Sequence, residues 1–209
     1  MSRLSRTVLS VVALTVIAAG CSDPKEVSKN NFRNVLQKHY DASPECTLAT
    51  IHEFPLEVQA NTGSEKAQLK AMAQVGLLKA VRFQKEIEPL FSWGKHTKQM
   101  TDFVRYELTE EGRKFVKHDT SFVGGTELCF GKRHVTEVTS FTEPGDMMGM
   151  KVSHVRYTYE IVSLEEWTRN ALVQGAFGGI KNVLQKPEGE ASATLVLTGD
   201  GWKDSAEVH

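Results

Sequence analysis

The sequence predicts an α+β fold built on an antiparallel sheet, and three observations predict it. Residues 128–141 and 150–162 are two long runs rich in Val, Thr, Phe and Tyr, joined by the turn-forming Glu143-Pro144-Gly145-Asp146. In the second run Val155, Tyr157, Tyr159 and Ile161 alternate with His154, Arg156, Thr158 and Glu160, as in a strand with one dry and one wet face. Segments of helical periodicity lie on both sides of this long central hairpin, so helices are expected to pack against it.

The first helix is marked by Phe32, Val35, Leu36 and Tyr40, with Asn30 or Asn31 as candidate caps, and Asp41–Glu45 with Pro44 ends it. Cys46–Val58 reads as a strand that Pro55 places at an edge or cuts short. Thr62-Gly63-Ser64 forms a turn before a helix carrying Ala67, Leu69, Met72, Ala73 and Leu77, with Gly76 near its end. Leu78–Ile87 is extended, Pro89–Lys98 is a loop, and Phe103–Leu108 is a short strand. Thr109–Val116 reads as a helix with Thr109 as N-cap and Glu110 and Glu111 in its first turn. After the hairpin, Glu165–Leu184 is helical with interruptions near Gly175 and Gly178-Gly179. Pro187–Glu190 is a loop, and Ala193–Leu197 is a last strand.

Two echoes occur within this order. Leu108-Thr109-Glu110-Glu111-Gly112-Arg113-Lys114 is similar to Leu197-Thr198-Gly199-Asp200-Gly201-Trp202-Lys203. Either this is chance or it marks a duplication with halves near 44–118 and 126–205. The second echo is Leu69–Phe83, with Gly76-Leu77-Leu78 ending a helix, followed by Tyr106-Glu107-Leu108-Thr109-Glu110-Glu111-Gly112, and it resembles the recognition-helix-to-wing stretch of winged-helix regulators. The resemblance implies a helix, a β-hairpin and a capped helix start; a local fold does not carry DNA binding with it.

The N-terminus has its own pattern. Arg3 and Arg6 precede an apolar or small run from Thr7 to Ala19, too short for the roughly 20 apolar residues of a membrane-spanning helix. A positive start and a short apolar stretch suit a signal peptide. The run closes on Ala18-Ala19-Gly20-Cys21, which resembles the lipobox of bacterial lipoproteins. That resemblance implies a signal over residues 1–20, a Cys21 that receives diacylglycerol, and a new N-terminus at Cys21. It further implies a lipidated tether over 21–28, a periplasm-facing globular domain over 29–209 and, with Ser22 rather than Asp after the cysteine, outer-membrane sorting. The lipid bilayer is then one partner, because each buried methylene of an acyl chain contributes roughly 0.8 kcal/mol.

Of the 25 basic residues two leave with the signal, so 23 face 26 acidic ones, a net charge near −3. Such a body offers no electrostatic footprint for nucleic acid, which is not an expected partner. With Cys21 assigned to lipid, Cys46 and Cys129 are left as a candidate disulfide in an oxidising compartment, the alternative being two buried free thiols. Neither sits in a CxxC pair or beside a suitably spaced His, so no metal site is expected.

The search for catalysis yields no candidate residue. There is no Gly-x-Ser-x-Gly elbow, no His-Glu-x-x-His and no phosphate-cradling loop, and no cofactor is implied. Two groups are binding candidates. Phe91 and Trp93 lie in a loop where aromatic residues serve either a contact surface or the core. Lys132, Arg133, His134, Lys151, His154 and Arg156 make the hairpin locally basic, which reads as an anion-binding patch or a plain solvated face. A centre of pairing near residue 145 places His134 opposite 156–158, an offset of two or more from His154 that makes the two a poor ligand pair. The leading expectation is a non-catalytic envelope lipoprotein that binds a protein, cell-wall or lipid partner. Two alternatives stay open: an inhibitor or immunity-type lipoprotein, and an envelope hydrolase with a dispersed His/carboxylate site.

Overall fold

The alternating run around Tyr157 becomes the middle of the larger of two sheets in the computed structural model, which describes residues 23–49, 51, 53–60, 66–88, 98–119 and 125–208. The described residues first form α1 (Lys29–Ala42), β1 (Glu45–Ala49), β2 (Leu56–Gln59), α2 (Ala67–Gln74), β3 (Leu78–Ile87) and β4 (Gln99–Leu108). A one-turn helix α3 (Gly112–Phe115) and β5 (Val116–Asp119) follow. Then come β6 (Gly125–Phe141), β7 (Gly145–Met147), β8 (Met150–Val162), α4 (Ala171–Ala176), α5 (Gly178–Gln185), β9 (Glu188–Thr198) and β10 (Gly201–Asp204). The larger sheet runs β1-β6-β8-β9-β10, with β5 added to β6 and β7 to β8; the smaller runs β2-β4-β3. All pairings are antiparallel. The predicted α+β class is therefore the observed one.

β6 is long enough to serve both halves of the core. Its first part places Leu128 and Phe130 among Leu69, Met72, Leu77, Tyr106, Phe177 and Ile180, beneath the smaller sheet and the helices α2, α4 and α5. Its second part places Val135 and Val138 with Val155, Tyr157, Leu195 and Trp202, where Phe32 and Leu36 of α1 close the face. Phe32 meets Phe141 and Trp202 edge-on at 5.0 and 5.1 Å, the geometry that aromatic quadrupoles favour.

Two bulges in β6 decide which side chains reach this core. The register shifts between Val135 and Glu137 and again between Val138 and Ser140, so the core-facing positions fall at 135, 138 and 141 rather than at every second residue. The inserted threonines are tied down, Thr136 to the Thr158 hydroxyl at 2.7 Å and Thr139 as donor to the Arg156 carbonyl at 3.1 Å.

Several expectations are corrected. The tight turn of the hairpin is Met148-Gly149, not Glu143–Asp146, because β7 continues the pairing through Met147↔Met150. Both turn residues have positive φ, 50° and 81°, as a two-residue hairpin turn requires. Cys46–Val58 is two strands that join different sheets, parted at the cis Phe54–Pro55 peptide. The helix expected over Thr109–Val116 is a single turn, and Val116 already starts β5. β9 begins at Glu188 rather than Ala193, because Glu188 already pairs with Glu160. Ser28, not Asn30 or Asn31, caps α1, its Oγ accepting from the Asn31 amide at 3.3 Å.

The described part of the expected tether is docked. The Pro24 carbonyl accepts from the Trp202 amide and from Asn31 Nδ2, each at 3.1 Å, and the Lys25 carbonyl accepts from Trp202 Nε1 at 3.1 Å. Asn31 Nδ2 also donates to the Glu26 carbonyl at 2.8 Å. The backbone of Gly201 lies so close that a Cβ there would stand 2.7 Å from Pro24.

The two similar heptapeptides fold differently. Thr109 Oγ1 accepts from the Gly112 amide at 2.9 Å and starts a helix, whereas Thr198 Oγ1 donates to the Gly201 carbonyl at 2.7 Å inside the β9–β10 hairpin. Nor does the sheet respect halves at 44–118 and 126–205, since β1 and β5 both pair with β6. The helix–hairpin–helix-start order around α2, β3, β4 and α3 is present, and Gly112 serves it by close approach: a Cβ there would overlap the Leu77 carbonyl.

Candidate functional site

The candidates on the β6–β8 hairpin are distributed by the alternation of side chains across a sheet. Lys132 and His134 point outward and are exposed, while Arg133 between them turns inward with Val135. Its Nη2 donates to both oxygens of Glu45, at 2.9 and 3.2 Å. The guanidinium also lies 4.1 Å from the ring centre of Tyr159 and 4.9 Å from that of Tyr40. The Tyr40 and Tyr157 hydroxyls hydrogen-bond to each other, and Arg133 Nη1 reaches the Tyr40 hydroxyl at 3.5 Å. Burial pushes the Tyr157 phenol up, and the hydrogen bond to Tyr40 adds to the rise. Arg133 is thus an internal brace between α1, β1 and the hairpin rather than a ligand-facing cation.

The outer face of β6, β8 and β9 carries the remaining candidates. His154 pairs with Thr194, and Arg156 lies in register between Ser140 and Ser192. With Thr142 these side chains line a shallow depression of about 540 Å³, in which His154 Nδ1 and Thr194 Oγ1 stand 3.0 Å apart. A second depression of about 530 Å³ lies further along the same strands, lined by Thr136, Thr158, Glu160, Lys186, Glu188 and Glu190.

Of the two readings of the basic hairpin, an anion-binding patch or a solvated face, this arrangement favours the solvated face. Glu137, Glu160, Glu188 and Glu190 share the strands with His134, His154 and Arg156, and Lys151 pairs with Asp146 at 3.9 Å. What stands out is a face of hydroxyl groups with one arginine and one histidine at one end and carboxylates at the other. Its serines and threonines passed unnoticed in the sequence, although the strand alternation that exposes them was visible there. His134 and His154 are not neighbours: with the turn at Met148-Gly149 and two bulges in β6, His134 pairs with Glu160.

The depression holding His154 is lined by hydroxyls and Arg156, with no carboxylate among them. His39 and Glu207 do pair at 2.8 Å, but there they fasten the C-terminal turn to α1. Cys46 and Cys129 are disulfide-bonded across β1 and β6, as the sequence suggested. Glu127 brings a carboxylate within 4.8 Å of their sulfurs, yet both sulfurs are already consumed by the bond, so the triad is not a metal centre. Phe91, Trp93 and Cys21 lie outside the described residues. No described helix is long and apolar enough to cross a membrane. Comparison with models of protein families, with curated proteins and with solved structures finds no match to this chain.

Proposed function

We propose that the chain is a lipoprotein of a bacterial envelope, anchored through acylated Cys21, facing the periplasm and sorted to the outer membrane. In this reading it works as a non-catalytic binding or accessory module. The observation that carries the proposal is the sequence Ala18-Ala19-Gly20-Cys21 at the end of a short apolar run behind Arg3 and Arg6. The Cys46–Cys129 bridge supports it, because structural disulfides persist in oxidising compartments. A binding role is supported by the open, hydroxyl-rich face of β6, β8 and β9, which suits a polar envelope partner such as a protein or a cell-wall component.

The test is intact mass and membrane fractionation of the native protein beside a Cys21→Ser variant. The proposal expects a native chain that begins at Cys21, carries acyl chains and sediments with membranes, and a variant that does neither. A full-length, unacylated native chain in the soluble fraction would overturn it.

A further inference from the structure

The turn between β7 and β8 concentrates exposed apolar side chains. Met147, Met148 and Met150 are 49, 94 and 43 % exposed. Solitary exposed apolar residues are ordinary on a protein surface, whereas three in four consecutive positions make a patch. Met148 also occupies a position with φ 50°, where Asn or Gly is the usual choice for a two-residue hairpin turn. Folding alone gives no reason for a large apolar side chain there.

The register of the sheet says what this tip faces. Met147 pairs with Met150, Val152 with Val196, and Thr198 with Gly201. The tip and Gly201 therefore occupy the same end of the sheet, two strand spacings apart, or about 10 Å. Gly201 is the residue against which Pro24 packs. Cys21 precedes Pro24 by three residues, which span at most about 11 Å of chain. Acyl chains on Cys21 would be tethered within that reach of the end of the sheet that carries the methionines. Lys151 beside the tip lies 3.9 Å from Asp146, and Lys203 on β10 lies 3.5 Å from Asp200.

We infer that the Met147–Met150 turn is a membrane-inserting tip that enters the acyl-chain region of the bilayer holding Cys21. The inference rests on the lipoprotein reading. The tip and the anchor form two points of attachment, so the body has a fixed attitude on the membrane rather than swinging on a tether. The inserting side chains carry no charge, so the contact is apolar and does not require anionic headgroups.

The experiment uses the acylated full protein in phosphatidylcholine vesicles, with an environment-sensitive fluorophore on a Met148→Cys variant. A Glu188→Cys variant, at the opposite end of the sheet, serves as the water-exposed reference. The tip probe is expected to shift to the blue and to be quenched several-fold more than the reference by lipid-attached nitroxide, equally with and without anionic lipid. A second reading needs no substitution: chloramine-T should oxidise Met148 several-fold more slowly in vesicles than in the soluble Cys21→Ser protein, with Met100, 62 % exposed on β4, unchanged. Co-flotation and intact mass are measured on the same samples. A protein that is acylated and floats but whose tip stays in water would overturn the inference and leave the anchor standing. A protein that neither carries acyl chains nor floats would remove both. Protection of the tip in vesicle-free solution, with self-association, would assign it to a second copy of the chain and overturn the inference as well.

Discussion

Arg133 and Glu45 form a two-pronged ion pair with each side chain only about one-fifth exposed, 20 and 22 % respectively. The pair joins the start of β1 to the centre of β6 beside the tyrosines of α1 and β8. Because it is largely out of water, its partners are worth more to each other than a surface pair, and removing one strands the other.

Arg133→Met is expected to lower the free energy of unfolding by about 2 kcal/mol, less than for a fully buried pair because solvent still screens it. The double variant Arg133→Met/Glu45→Gln should recover part of that loss, since it leaves no unpaired carboxylate. Urea titration of the three proteins checks both statements. Equal stability of the single and double variants would mean that the pairing matters less than the stacking on Tyr40 and Tyr159.

Tyr157 sets an alkaline limit. Its phenol titrates above the ordinary tyrosine range because of burial and the Tyr40 hydrogen bond. Above pH 10 the unfolded chain releases this proton while the folded one keeps it, so the unfolded state binds fewer protons and stability falls as pH rises. The contribution is fully present below pH 10 and is lost as pH climbs toward the folded value. Tyr157→Phe should flatten the decline in melting temperature between about pH 10 and 11. An unchanged slope in the variant would count against it.

Opening the Cys46–Cys129 bridge releases a loop closed by residues 83 apart in sequence. A Cys46→Ser/Cys129→Ser variant is expected to lose about 2–5 kcal/mol, mainly because its unfolded chain is less constrained. The fall should appear in the urea midpoint, and reductant should reproduce it in the unmodified protein while leaving the double variant unaffected.

Gly112→Ala is expected to be more damaging than Thr109→Val. The alanine methyl would collide with the Leu77 carbonyl, which belongs to the backbone and has nowhere to move. Thr109→Val removes the hydroxyl that accepts from the Gly112 amide and hydrogen-bonds the Gly76 carbonyl at 2.7 Å, a cap worth about 1 kcal/mol. Thermal melts of the two variants give the order directly.

The sequence discloses features governed by neighbours along the chain and conceals those governed by pairing across the sheet. The dry face through Val155, Tyr157 and Ile161 follows from a strict period of two, and α1 from its period near four. The two bulges of β6 stretch the core spacing to three, which hides the strand's alternation, and Arg133 between Lys132 and His134 reads as one of three adjacent basic residues. Pro144-Gly145 gave a stronger local turn signal than Met148-Gly149, yet cross-strand pairing carried the hairpin four residues further. Glu188 had no local mark of a strand; it is one because Glu160 lies opposite. The hydroxyl-rich face was equally veiled, since its rows are assembled from three strands whose register no single segment reveals.

The hold of Trp202 on the carbonyls of Pro24 and Lys25 also orders events in time. A ribosome makes the segment ahead of α1 long before Trp202, which binds it. Until residue 202 has emerged, that segment has nowhere to settle. Its two carbonyls stay hydrated and it remains open to any enzyme that must act on it. The β9–β10 hairpin thus works as a clasp that closes only after residue 202 has been made.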